Sequence, residues 1–161
     1  MNSTLIKLTN NLKKVTYKCP PNYFLSPLGN SCYQFQFQPM TWQLAQQYCV
    51  MQGGWLVTVN DAIEHMILHS YQDYFQGANV WIGFSDLASK GSFKWTHPGS
   101  SYGSEPSVYP WCVGQPDNAG NNEDCVTLYD TTSGSYGVFN DWPCDKSFKY
   151  ICESDVIATL P

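Results

Sequence analysis

A chain of 161 residues is long enough to bury one substantial core, and its 13 acidic against 8 basic side chains leave it with a net charge of -5. So few basic residues, with no basic patch or arginine-rich run among them, exclude the electrostatic footprint that nucleic acids and anionic membranes need. No stretch approaches the ~20 apolar residues of a membrane-spanning helix, and the six Trp and eleven Tyr supply rings for a core and for stacking on the apolar faces of sugars.

Residues 1–18 read as an N-terminal extension. Leu5, Leu8, Leu12 and Val15 follow the a/d spacing of a coiled-coil seam for barely two heptads. The segment is therefore either a short oligomerisation segment or a flexible or edge-strand extension. Asn2-Ser3-Thr4 is a glycosylation sequon. The opening residues lack the apolar core and small-residue cleavage site of a signal peptide, so the chain reads as a mature sequence restarted at Met1.

From Cys19 the pattern is a strand, "NSCYQFQF", followed by two helices. Thr41 can cap "TWQLAQQYCVMQ", which Gln52-Gly53-Gly54 stops. Asp61 can cap "AIEHMILHSYQDYF", in which Ile63, Met66, Ile67, Tyr71 and Tyr74 share one face, the mark of an amphipathic helix. "VWIGFSD" and "SFKW" read as strands around a "KGS" turn. The stretch from Thr96 to Asn122 is rich in Gly, Pro, Ser and Asn, and so long an irregular segment in a compact domain is normally functional. Two more strands, "CVTLYD" and "YGVFNDW", precede "KYICE", and residues 154–161 form a tail. The fold class is α+β in one domain.

Seven cysteines lie at 19, 32, 49, 112, 125, 144 and 152. No paired CxxC motif suggests zinc, so a disulfide framework and an oxidising, extracellular setting are expected. Spacing alone leaves the pairing open.

"GQPDNAGNNEDC", residues 114–125, is polar in a way that suits a hard cation. It offers Gln115, Asp117, Glu123 and Asp124, and "FNDW" adds Asn140 and Asp141. All are oxygen donors and none is soft, which favours calcium over zinc. If Gln115–Pro116 is cis, the two flanking side chains can point to one side of a tight turn. Plain turn chemistry is the alternative for such a loop.

"WIGFSD", "WCVGQPDNAGNNEDC", "FNDWPC" and "YICE", with Cys49 and Cys152 at the ends, resemble a C-type lectin domain over residues 19–153. The resemblance implies the family's double-loop fold with two helices, short antiparallel sheets and a long calcium-binding loop. It also implies the pairs Cys19–Cys32, Cys49–Cys152 and Cys125–Cys144. It carries the family's principal calcium site onto Gln115, Asp117, Glu123, Asn140 and Asp141, and sugar contacts onto Gln115, Asp117, Glu123 and Asn140. Phe139 stands where a Trp is usual. A second, auxiliary calcium site is poorly reproduced: Asp86 and Asp124 are present, but Lys90 replaces an acid and Asn118 another. In the family, Gln-Pro-Asp goes with galactose and GalNAc, and Glu-Pro-Asn with mannose-like sugars. Galactose members place a Trp just after the triplet, whereas "NAGNN" follows it here, so a loose galactose preference is expected. "GQPDNAG" also looks like invertebrate, mollusc-type lectins. Trp111, Tyr109 or Trp142 can supply a stacking ring from elsewhere in the chain.

Such a lectin would recognise cell-surface or microbial glycans and present several sites together. Cys112, left over from the three pairs, is then a candidate for an interchain bond in a homodimer, a buried thiol being the alternative. An enzyme is disfavoured. His65 and His69 flank no HExxH motif, His97 is a lone loop residue, and no GxSxG elbow occurs. The remaining alternative is a protein-, mineral- or ice-surface-binding module on the same fold.

Overall fold

The computed structural model describes residues 15–100, 102, 110–128 and 139–159. The heptad leucines at 5, 8 and 12, the sequon, Tyr109 and parts of the "CVTLYD" and "YGVFNDW" segments lie outside them.

The chain runs β1 (Thr16–Lys18), β2 (Phe24–Leu25), β3 (Cys32–Met40), α1 (Trp42–Met51), β4 (Trp55–Leu56), α2 (Ala62–Ser70), β5 (Val80–Ser85), β6 (Lys94–Trp95), β7 (Cys125–Thr127), β8 (Asn140–Trp142), β9 (Phe148–Ser154) and β10 (Ile157–Thr159). Short 3-10 turns cover Gln72–Phe75 and Ala119–Asn121. β1 pairs with β10, so the end of the N-terminal extension lies against the C-terminal tail. The main sheet has the order β2-β3-β9-β5-β7-β8, with β4 added on β9 and β6 on β5. Most pairs are antiparallel, but β5 runs parallel to β9, so the sheet is mixed.

β5 shows how sequence alternation becomes two cores. Val80, Ile82 and Phe84 face one cluster with Leu68, Trp95 and Phe139. Trp81 faces the other, with Trp42, Leu56 and Tyr150. A strand with both faces covered reads as the near-continuous apolar run "VWIGF". Its break at Gly83 has a steric reason, because an added Cβ there would lie 2.5 Å from the Leu56 carbonyl oxygen. Two buried indoles are satisfied: Trp42 Nε1 donates to the Ile82 carbonyl at 2.8 Å and Trp81 Nε1 to the Met40 carbonyl at 3.0 Å.

Three disulfides form, Cys19–Cys32, Cys49–Cys152 and Cys125–Cys144, as the resemblance implies. The second ties α1 to β9 and closes a loop of 103 residues in sequence, the kind whose closure restricts the unfolded chain most.

The helices correct the sequence in two places. Thr41 occupies the first cap, but its side chain makes no capping bond. The C-terminal stop is where expected: Gly53 takes φ +84°, and Gly54 N–H reaches the Cys49 carbonyl at 2.9 Å. In α2 Asp61 caps as expected, accepting from the Ile63 and Glu64 amides at 2.9 Å. Only part of the expected apolar face packs, Ile67 and Tyr71 lying partly buried against the core. Ile63, Met66 and Tyr74 are exposed, Met66 at 70%, whereas Glu64, His65 and Leu68 are buried. The turn Gln72–Phe75 also leaves α-geometry, so the 62–75 segment is not one continuous helix.

Glu64 explains the rotation. Its carboxylate accepts Tyr33 Oη–H at 2.6 Å and both the amide and the side chain of Asn60 at 2.8 Å. A buried acid with such partners outweighs apolar periodicity, because moving it would orphan several buried donors. Glu153 lies nearby, accepting from Thr58 N–H at 2.9 Å and Trp55 Nε1–H at 3.1 Å. Burial, and then the Glu64 charge, push the Glu153 carboxyl up to about 7. Between the ordinary carboxylate range and pH 7 the folded state therefore holds a proton that the unfolded chain has lost, and stability falls as pH rises through that window. Buried His65 acts in the opposite sense, its pKa lowered to about 4 by burial and then by His69.

Glu153→Gln keeps an acceptor and removes the ionisation. The melting temperature of this variant, compared with the wild type from pH 5.5 to 8, should rise relative to it as pH increases, by on the order of 5 °C at the upper end. The His65 contribution is common to both proteins and cancels in the difference.

Candidate functional site

The loop from Gly114 to Asp124 has almost no regular structure, so its shape must come from side chains bonding to backbone. It enters through a cis Gln115–Pro116 bond, as the sequence suggested. Asp117 N–H donates to Gln115 Oε1 at 3.0 Å and to Asp141 Oδ1 at 3.2 Å, and Asn118 N–H donates to Asp141 Oδ2 at 2.9 Å. Ala119 N–H is shared between Asp117 Oδ1 at 3.1 Å and Glu123 Oε2 at 2.9 Å. Asn118 Oδ1 then accepts from Glu123 N–H at 3.1 Å, closing the ring. The tight path needs left-handed backbone at Asn118, Gly120 and Asn121, residues that adopt it at low cost. Asn118, read from the sequence only as a missing acid, is thus the clamp that fixes where Glu123 sits.

β8 brings the second half of the site. It pairs with β7, placing Asp141 opposite Val126, and Trp111 bridges to Phe139 so that the loop entrance rests on the strand carrying Asn140 and Asp141. As a result one oxygen each from Asp117, Glu123 and Asp141 falls within 4.8 Å of the others. Asp117 is exposed, Glu123 half-buried and Asp141 buried, so the three descend from the surface into the domain. Asn140 Oδ1 is buried with no hydrogen-bond partner, an acceptor waiting for a donor or a cation. Gln115 is half-buried beside them.

The electrostatics follow from that crowding. Burial, followed by a hydrogen bond with the Asp117 side chain and the Asp141 and Asp117 charges, outweighs the Ala119 amide and pushes the Glu123 carboxyl up to about 7. Burial also raises Asp141, against the opposing bonds from the Asn118 and Asp117 amides. Carboxylates this close repel one another unless a proton or a cation lies between them. The donor set is all oxygen, and with the orphaned Asn140 amide it fits a hard divalent ion better than a soft one.

Other residues singled out in the sequence fall elsewhere. Trp111 is 4% exposed in the core against Phe93 and Phe139, so it offers no stacking face. Trp142 is half-buried against Phe148. The exposed apolar side chain nearest in sequence to the Gln-Pro-Asp triplet is Val113, at 85%. Cys112 lies outside the three disulfides and is 4% exposed, as in the buried-thiol alternative. His65 is buried, its Nδ1 3.0 Å from Tyr102 Oη, and His97 stacks on Trp55 with ring centroids 3.7 Å apart. Lys90 lies between Asp86 and Asp124, a contact that the sequence signalled only by an unexpected charge.

Residues 38–154 match the family described as Lectin C-type domain. The mouse protein C-type lectin domain family 4 member K is 33% identical over 127 residues, covering 79% of this chain and 36% of that protein. The chain thus spans about a third of the length of that relative. Among solved structures, the C-type lectin CEL-I from Cucumaria echinata matches with a TM-score of 0.69 and 29% identity, over 89% of this chain and 99% of that one. A calcium-independent type II antifreeze protein matches with a TM-score of 0.68 and 26% identity, over 88% and 98% of the two chains.

Asp141 is the acceptor on which the loop closes. In the presence of a chelator, Asp141→Ala should leave the far-UV spectrum unchanged but speed hydrogen exchange at the Asp117 and Asn118 amides. It should also cost roughly 1–3 kcal/mol of stability for the donors left unpaired.

Proposed function

The chain belongs to the C-type lectin domain family, and we propose that it is a calcium-dependent carbohydrate-binding protein with a loose preference for galactose and GalNAc. The observation that carries this reading is the convergence of Asp117, Glu123 and Asp141, with an unpartnered buried amide oxygen on Asn140, the residue before Asp141 in the chain. In this reading Gln115, Asp117, Glu123, Asn140 and Asp141 hold the ion, with three negative charges against its two. The bound calcium supplies two coordination positions for vicinal sugar hydroxyl oxygens.

The side chains around the ion then sort the hydroxyls by hydrogen-bond polarity. Gln115 can ligate through its carbonyl and keep an NH₂ donor, whereas Asp117 can only accept. Glu-Pro-Asn reverses that order, and the reversal is the physical basis for expecting the galactose rather than the mannose class. The expected looseness has support in the burial of Trp111 and the absence of an aromatic residue in "NAGNN". A single sugar in so shallow a site binds at about millimolar Kd, near -4 kcal/mol. The reading implies binding without catalysis, and the three disulfides agree with an extracellular setting.

A second reading, a module that binds an ice, mineral or protein surface, is favoured by the antifreeze protein among the structural neighbours. Purified protein on a glycan array in millimolar calcium separates the two. Galactose or GalNAc signals abolished by a chelator support the lectin reading, and silence across the array supports the surface-binding one. Binding that survives the chelator sinks the calcium mechanism.

Two outcomes are expected of variants. Asp117→Ala should abolish calcium-dependent sugar binding. The double change Gln115→Glu with Asp117→Asn should move the preference from galactose to mannose by about tenfold or more on competitive inhibition, which corresponds to roughly 1.4 kcal/mol.

A further inference from the structure

Beside the carboxylate cluster lies a second set of oxygens, and it already holds a cation belonging to the chain. Lys90 Nζ is 2.9 Å from Asp124 Oδ1 and 3.3 Å from Asp86 Oδ2, and it donates to the Glu123 backbone carbonyl. The Lys90 side chain is 44% exposed and Asp124 30%, but the Asp86 side chain is fully buried, so the ammonium reaches from the surface to a buried carboxylate. Asp86 is the root of the arrangement. Its Oδ2 also accepts Gly91 N–H at 2.7 Å, its Oδ1 is buried without a partner, and its backbone N–H reaches the Asp124 carbonyl at 3.0 Å. The 86–91 turn and the 123–124 backbone are therefore joined by one ammonium and one backbone bond.

We infer that Lys90 is an internal cation that does the structural work of a bound metal at this second oxygen cluster, and that it is a positioning residue for Glu123. The chain of cause is short. A buried carboxylate left without a counter-charge is strongly unfavourable, so the ammonium cannot leave without disturbing Asp86. The same ammonium grips the carbonyl of Glu123 itself. Glu123 is held from its amide side by Asn118 Oδ1 and from its carbonyl side by Lys90. With both ends fixed, its carboxylate meets Asp117 and Asp141 at little further ordering cost, and preorganisation of that kind appears directly as affinity. Lys90 contributes no ligand; it sets where a ligand stands.

This inference rests on the proposed calcium role of the neighbouring cluster, and its test keeps the two separable. Hydrogen exchange in chelator, together with calcium titration by calorimetry, is measured for the wild type, Lys90→Met and Lys90→Arg. Far-UV spectra confirm that each variant is folded. The wild type should take one calcium per chain. Lys90→Met should bind it roughly 3- to 30-fold more weakly and should exchange faster at the Glu123 and Asp124 amides even without calcium, with Lys90→Arg recovering most of both effects. Two calcium ions per wild-type chain, or a Met variant with wild-type affinity and exchange, would overturn the role of Lys90. If the wild type binds no calcium, the calcium reading fails alone, and the exchange rates of the metal-free proteins still decide whether Lys90 orders the loop. Unchanged Asp124→Asn exchange would count against it as well.

Discussion

β9 is the strand on which the rest of the molecule depends. It pairs with β3 along its whole length and with β4 at its Cys152 end, and it lies parallel to β5 at its start. Its Cys152 is bonded to α1, and its Glu153 takes hydrogen bonds from Trp55 and Thr58. One strand near the C-terminus therefore organises elements drawn from the first half of the chain. That topology makes most stabilising contacts long-range in sequence. It also explains why a disulfide spanning 103 residues sits at the centre.

The site inherits its rigidity from this frame at one remove. β5 lies on β9, β7 on β5 and β8 on β7, so Asp141 is placed by a continuous run of paired strands. The loop opposite has no ladder of its own. Its backbone donors are taken up by Gln115, Asp117, Asn118, Glu123 and Asp141, and three of these side chains, Asp117, Glu123 and Asp141, are also the ones whose oxygens converge. Structure and function draw on one set of groups. A carboxylate spends one lone pair fixing the loop and keeps others for a ligand. The acids cannot be thinned out to relieve their repulsion without loosening the loop, so the crowding of charge is part of the design.

Much of this was legible in the sequence, because it was written in residue types with narrow physical roles. Gln115-Pro116-Asp117, the Asn140-Asp141 pair and the cysteines each admit few uses, and "VWIGFS" was legible as a strand. What the sequence hid was decided by partners far away along the chain. The apolar periodicity of α2 pointed to Ile63 and Met66, but the helix turns Glu64 inward to meet Tyr33, a residue 31 positions earlier. A single buried hydrogen-bonded acid weighs more than several methyl groups that water tolerates. Trp111 offered a ring for stacking, yet its backbone bridge to Phe139 carries that ring into the core. In each case local pattern gave the residue's chemistry and tertiary pairing chose its address.

Lys90 shows the same logic at the level of charge. A lysine among acids reads in sequence as the loss of a cation site, since one anionic ligand has become a cation. In space it is a substitution of one positive charge for another, fixed covalently and therefore always present. An external ion must be bound at a cost in free energy that depends on its concentration, whereas a tethered ammonium is available at any concentration. An ammonium offers three directed donors and cannot gather six to eight oxygens as calcium does. It can hold a buried Asp86 and two neighbouring oxygens, but it leaves Asp86 Oδ1 unpartnered. The loop thereby has an anchor that needs no external ion at one end, whereas the three converging acids at the other end carry no cation of the chain's own.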